Sequence, residues 1–255
     1  MFKIETDGGL HYGRFEEMNG PGVLSAFSLK SGPDDKINLA LHTGDSAEKV
    51  LGDRSRFLSA LGLDPARLSS VNQVHGDSVA VISENEAGRG AFDHKTTIEA
   101  DALLTTARNI SLVIFTADCV PVFLYDPSIP MAGLVHAGWQ GVHKRILTKT
   151  VRMAVDRFGS NPANLRVGFG PFIRQCCYEV SADFVKNFKS QHFTMQKYRF
   201  FFDLSGPLRE ELDILGVGKQ NIFDSGLCTR SSPDLCHSYR RDKTAFRHGT
   251  LICLK

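Results

Sequence analysis

The chain has 255 residues, 42% of them hydrophobic, 9% aromatic and 23% charged. These values are globular and exclude disorder, collagen-like repeats and coiled coil. Thirty Lys and Arg against 28 Asp and Glu leave a net charge of +2, no footing for a general nucleic-acid binder. Six Cys and nine His in a chain this long exclude a disulfide-dense miniature scaffold.

Short strands are expected at Met1–Thr6, His11–Glu16 and Val23–Leu29. Asp45 followed by Glu48 reads as a capping box opening a helix whose face carries Val50, Phe57, Leu58 and Leu61, with Gly62 placed to end it. The middle of the chain holds short runs rich in Val, Ile and Leu at Ser78–Ile82, Ala102–Thr105, Ser111–Thr116, Val120–Tyr125 and Met131–Val135. Runs with so little alternation belong to strands covered on both faces. A helix from about Gln140 to Phe158 follows, with Val142, Ile146, Thr150 and Ala154 at four-residue steps. Strand Leu165–Phe169, helix Ala182–Lys189, strand Phe200–Asp203 and helix Pro207–Leu215 complete a mixed α/β pattern. No repeat or linker interrupts it, so one domain over residues 1–255 is expected.

Charges at the N-terminus stand where a signal peptide needs an apolar stretch. The most apolar segment, Ser111–Tyr125, is broken by Asp118 and Pro121 and too short to span a membrane. No Cys-x-x-Cys pair occurs, which excludes zinc-ribbon and thioredoxin-type spacing, and the cysteines otherwise show only ordinary packing positions. Free thiols in a reducing cytoplasm, with neither membrane nor nucleic acid as partner, are the expected setting.

Dinucleotide, phosphate-loop, serine-elbow and H-E-x-x-H signatures are all absent. The positive signal lies in three segments: Asn72-Gln-Val-His75-Gly76, Thr116-Ala-Asp118-Cys119-Val-Pro121 and Val135-His136-Ala-Gly138-Trp139. Each places a metal-capable residue at an apolar strand beside a turn former, and neighbouring strand ends can gather such residues. Two His and one Cys leave a tetrahedral metal one position short, the mark of a catalytic site. Such a metal activates water or polarises a substrate oxygen. The thiolate suits zinc and also copper. Without a metal, Cys119 and His136 could act as thiol nucleophile and base.

At these segments the sequence strongly resembles the laccase-domain family of purine nucleoside phosphorylases, also called polyphenol-oxidase or peptidoglycan-editing-factor proteins. The likeness extends to Ile37-Asn38-Leu39, Gly44-Asp45, Ala100-Asp101-Ala102-Leu103-Leu104-Thr105, Gly170-Pro171, Tyr178-Glu179-Val180 and Ser238-Tyr239-Arg240-Arg241-Asp242. It departs at Ala40, where many relatives carry Gly. The resemblance implies a four-layer α/β/β/α fold and a zinc held by His75, Cys119 and His136. It implies phosphorolysis of adenosine, inosine and methylthioadenosine, with adenosine deaminase, laccase-like and peptidoglycan-correcting activities also attributed to the family. Multicopper oxidases use His-x-His pairs, and none of the nine His forms one, so an oxidase here would rest on a single copper.

For a nucleoside substrate, Asp118 is a candidate proton carrier or the partner of a ligand His. Arg54, Arg240, Arg241 and Arg247 are candidates for phosphate, with Arg241 favoured. Trp139 and Phe172 could stack a purine, and Asn38 lies in a loop expected to touch substrate. The competing readings are a metal-free Cys119–His136 amidase acting on peptidoglycan precursors and a metal-binding module without turnover.

Overall fold

A computed structural model describes the whole chain, Met1–Lys255. Two six-stranded sheets lie face to face. The first runs in the order Phe2–Asp7, Leu10–Phe15, Val23–Leu29, His248–Leu254, Ser111–Thr116 and Leu68–Ser70. The second runs Ile222–Asp224, Arg166–Phe169, Val120–Asp126, Met131–Ala137, Ala102–Thr105 and Val79–Val81. Pairing is antiparallel inside both sheets. Parallel pairs close the Leu68–Ser70 edge of the first and both edges of the second. A small antiparallel sheet of Glu179–Val180, Arg199–Phe202 and Phe193–Gln196 stands beside them.

Three apolar cores separate four layers. Between the sheets, Phe15, Phe27, Leu112, Ile114 and Ile252 meet Phe123, Leu134 and Leu103. On the outer face of the second sheet, Val120, Val122, Leu124 and Val135 meet Ile146, Leu147, Val151 and Leu208 of helices Ile146–Phe158 and Ser205–Ile214. On the outer face of the first, Val113, Phe115, Leu251 and Cys253 meet Phe57 and Leu58 of helix Ala47–Ala60. The expected α/β/β/α layering is therefore present. It also explains the unbroken apolar runs: in Ser111–Thr116 and Val120–Asp126 alternate residues point into different cores, so both faces must be apolar. Leu58 is fully buried, and truncating such a side chain to Ala costs about 2–5 kcal/mol.

Several local expectations are corrected. Ser46, not Asp45, caps helix Ala47–Ala60, accepting the N–H of Lys49 at 3.1 Å. The helix expected over Gln140–Phe158 is two helices, Trp139–His143 and Ile146–Phe158, because Arg145 between them takes a left-handed conformation (φ 61°). Residues Ala182–Asn187 form a 3₁₀ turn rather than an α-helix. The C-terminal strand His248–Leu254 occupies a central place in the first sheet. Ala40 has φ −104° and needs no glycine; Gly44, at φ 82°, does. No helix is long and apolar enough to cross a membrane.

Candidate metal centre and active-site cavity

The chain crosses from the first sheet to the second in the segment 117–119, which carries Asp118 and Cys119. It crosses again between Leu68–Ser70 and Val79–Val81, the stretch that carries His75. His136 lies near the end of strand Met131–Ala137, paired across to Pro121. These crossings bring the three residues together: one ligand atom from each lies within 4.8 Å of the others. Cys119 Sγ is 3.8 Å from His75 Nε2, and the two imidazole rings stand edge-to-face at 4.8 Å.

Backbone strain and one buried carboxylate hold this arrangement. His75 and Asp118 both have positive φ, 58° and 96°, a region that non-glycine residues enter at a cost of order 1–3 kcal/mol. For His75 the compensation is visible. Asp101, fully buried, accepts the N–H groups of Val74, His75 and Gly76 at 3.3, 3.0 and 2.6 Å. The same carboxylate receives His136 Nδ1 at 2.8 Å, which turns the Nε2 edge of that ring toward Cys119 and His75. Such a carboxylate–imidazole contact fixes the tautomer of a metal-ligating His. The position of Asp101 just before an apolar strand is its only sequence signal, since its donors come from 25 to 35 residues away.

Electrostatics follow from these contacts. Burial alone would push the Cys119 thiol up, but the two imidazoles outweigh it and bring it down to about 6. Burial lowers His136, and the Cys119 charge together with the Asp101 bond reverse this, raising it to about 9. Asp101 stays below the usual carboxylate range because His136 and the N–H groups of Gly76 and Val74 overcome its burial. The donor set suits a thiophilic metal. Gly138 keeps the space open: a Cβ there would sit 2.9 Å from the His75 ring and 3.1 Å from the Cys119 sulfur.

The three residues form the floor of a cavity of about 510 Å³, within the range of small-molecule sites. Trp139, Phe115, Tyr178 and Tyr239 supply aromatic walls. Trp139 is wedged edge-on against Phe184 at 5.3 Å, part of an aromatic cluster with Phe188 and Phe202 at the small sheet. Arg240 and Arg247 reach the same cavity. Each donates through Nη1 to backbone carbonyls, Arg240 to Glu179 and Arg247 to Thr244 and Phe246, and the remaining donors of both forks have no protein partner.

Four of the other sequence candidates take different positions from those expected. Arg241, favoured for phosphate, lies outside the cavity and spends all three nitrogens on the carbonyls of Thr229, Arg230 and Cys236 and on Asp242. Arg54 is buried in the first sheet's outer core, bonded to the carbonyls of Leu39, Gly90 and Ala91 and stacked at 4.9 Å on the ring of Phe115. Asn38 is likewise buried and braces a loop, donating to Thr43 and Asp45 and accepting from Ala40 and Arg247. Phe172 is enclosed in the core beneath Arg174. Asp118 does line the cavity, but its oxygens accept the Thr229 hydroxyl at 2.5 Å and the Arg240 N–H at 2.6 Å. It therefore ties the Arg240 segment to the floor, while Asp101 is the partner of His136.

A family model described as multi-copper polyphenol oxidoreductase laccase matches residues 26–255. The chain belongs to this family. A relative named purine nucleoside phosphorylase YlmD, from Bacillus subtilis (strain 168), is 31% identical over 244 residues, 88% of this chain and 86% of that one. A relative named adenosine deaminase RL5, from an unknown prokaryotic organism, is 32% identical over 233 residues, 86% of this chain and 88% of the other. The crystal structure of YlmD from Geobacillus stearothermophilus matches with a TM-score of 0.90 at 27% identity, covering 99% of this chain and 98% of that one. A laccase-like family implies a metal, and His75, Cys119 and His136 form a group that could hold one.

Proposed function

We propose that this chain is a zinc-dependent purine nucleoside phosphorylase. It would cleave adenosine, inosine and methylthioadenosine with phosphate, giving the free base and the corresponding ribose 1-phosphate. The cavity carries this reading: a His-Cys-His floor, aromatic walls and two guanidinium groups with free donors share one space. Relatives named for purine nucleoside phosphorylase and adenosine deaminase support it.

In phosphorolysis a phosphate oxygen forms a bond to C1′ of the sugar as the C1′–N9 bond breaks. The bonding pair leaves with the base, which ends with the proton that phosphate gives up. Arg240 and Arg247 are placed to bind the phosphate, since guanidinium forks match its oxygens. Asp118 positions Arg240 through its backbone N–H. Trp139, Tyr178 and Tyr239 offer faces for a purine and keep competing water from the sugar. A zinc held by His75, Cys119 and His136 would supply Lewis-acid charge toward a substrate oxygen or nitrogen. Zinc is favoured over a copper cluster because no His-x-His pair exists. The substrates are single nucleosides and phosphate, and six free thiols are in keeping with a cytoplasmic setting.

The test is product analysis by chromatography on metal-analysed protein given inosine or adenosine, with and without phosphate. Phosphate-dependent release of hypoxanthine or adenine, lost in His75→Ala and Cys119→Ala, is expected. Metal-replete protein that converts no purine nucleoside would contradict the proposal. Ammonia released from adenosine without phosphate would instead reveal deamination. The thiolate–imidazolium character of Cys119 and His136 favours one second reading, metal-free amide hydrolysis on peptidoglycan precursors. That activity would survive chelation and be lost on thiol alkylation.

A further inference from the structure

Outside the cavity, the sulfurs of the adjacent Cys176 and Cys177 converge with that of Cys228, 52 residues beyond Cys176. Cys176 Sγ lies 3.4 Å from Cys177 Sγ and 3.8 Å from Cys228 Sγ, and all three fall within 4.8 Å of one another. Tetrahedral zinc–thiolate bonds of about 2.3 Å set neighbouring sulfurs about 3.8 Å apart, so the group is close to ligating geometry. Backbone bonds, not the thiols, create the juxtaposition. A turn joins the N–H groups of Cys177 and Tyr178 to the carbonyl of Arg174 at 2.9 Å. A bridge pairs Phe172 with Cys228, the N–H of Thr229 reaching the carbonyl of Phe172 at 3.0 Å.

The surroundings are graded for an ion arriving from solvent: Cys228 is buried, Cys177 half-buried and Cys176 exposed. The Arg174 N–H points at the Cys228 sulfur at 3.5 Å. Arg230 and Arg240 share an adjoining cleft with Cys177 and can offset the excess negative charge of three thiolates around one ion.

We propose that Cys176, Cys177 and Cys228 form an all-sulfur site for a thiophilic cation, zinc or copper(I), separate from the His75–Cys119–His136 group. An all-thiolate donor set selects such ions. As each sulfur–metal bond forms, its thiol releases a proton to solvent, so no oxidant or reductant is needed and loading strengthens as pH rises. Ile173 and Tyr178, on either side of the Cys176–Cys177 turn, line the catalytic cavity, so a bound ion would brace one of its walls.

The test uses full-length, reduced, metal-stripped protein and does not depend on turnover. Cadmium is titrated while thiolate-to-cadmium charge-transfer absorption is followed, first on a His75→Ala/Cys119→Ala variant. One cadmium per chain is expected, displaced by zinc and by copper(I) in separate titrations, and lost when Cys176→Ser and Cys228→Ser are added. A His75→Ala/Cys119→Ala variant that keeps its thiols reduced and binds no cadmium would overturn the proposal. The unmutated protein provides a second readout that cannot be confused with misfolding. Zinc is expected to slow iodoacetamide labelling of exposed Cys176 at least tenfold, read by peptide mass spectrometry, and an unchanged rate would equally overturn it.

Discussion

Three pairs of imidazoles sit at nearly the same spacing in this fold, His42 and His94 at 5.0 Å among them. His75 and His136 have ring centroids 4.8 Å apart, and His237 and His248 are 4.9 Å apart. The first pair has a buried carboxylate behind it, a sulfur beside it and a cavity before it. The second has only backbone: His237 Nε2 donates to the carbonyl of Ile37, and His248 Nε2 accepts the N–H of His237. Burial weighs on His136, His237 and His248 alike. At His136 the charges of Cys119 and Asp101 overcome it and raise the group to about 9. At the interior pair burial wins, taking His237 down to about 4 and His248 well below its usual value. Proximity of imidazoles therefore does not make a site here; opposing charge and access do.

The sharpest way to break this contrast is to remove a ligand. In the Cys176→Ser/Cys228→Ser background, His75→Ala or Cys119→Ala is expected to abolish zinc retention and phosphorolysis, whereas His248→Gln should retain both and lose only stability. Equal loss in all three variants, by metal analysis and turnover, would erase the distinction. Next in size is Asp101→Asn, which takes the negative charge from behind His136. Metal affinity should fall about 10–100-fold, measured by chelator competition, with the fold intact by circular dichroism.

A smaller effect separates two of the arginines that the sequence offers for phosphate. Arg247→Ala should raise the KM for phosphate about 10–100-fold, as loss of a charged hydrogen bond does. Arg241→Ala should leave that KM in place and lower Tm, because its partners are carbonyls. Steady-state kinetics with varied phosphate, alongside thermal melts, decide between them.

The smallest effect concerns pH. His237 and His248 bind protons more weakly folded than unfolded, so the unfolded chain takes up more protons below pH 6.5. Stability should be fully present above pH 6.5 and fall as pH drops toward about 4. The slope is at most about 1.4 kcal/mol per pH unit for each His. Urea titrations at pH 7 and pH 5 would show the drop, and His248→Gln should make it shallower.

The contrast also shows what the sequence could carry. Strands Ala102–Thr105 and Ser111–Thr116 were legible to the residue, since strands covered on both faces must be apolar throughout. The ligand segments were legible because each metal-capable residue sits beside a turn former at a strand end. The break at Arg145 was not, since helical periodicity continues across it and only its left-handed backbone interrupts the helix. Strand His248–Leu254 has no counterpart in the pattern read from sequence, yet tertiary packing places it between Val23–Leu29 and Ser111–Thr116. The roles of Asp101, of Arg54 and of the Cys176–Cys177–Cys228 group depend on partners brought together only by folding.

The most direct test of the His75–Cys119–His136 centre is a zinc titration of metal-stripped protein, with phosphate-dependent base release from inosine measured at each step. The expected result, in the Cys176→Ser/Cys228→Ser background, is turnover that rises in proportion to zinc bound and that is lost when His75→Ala is added. Full phosphorolysis by protein free of metal would contradict it.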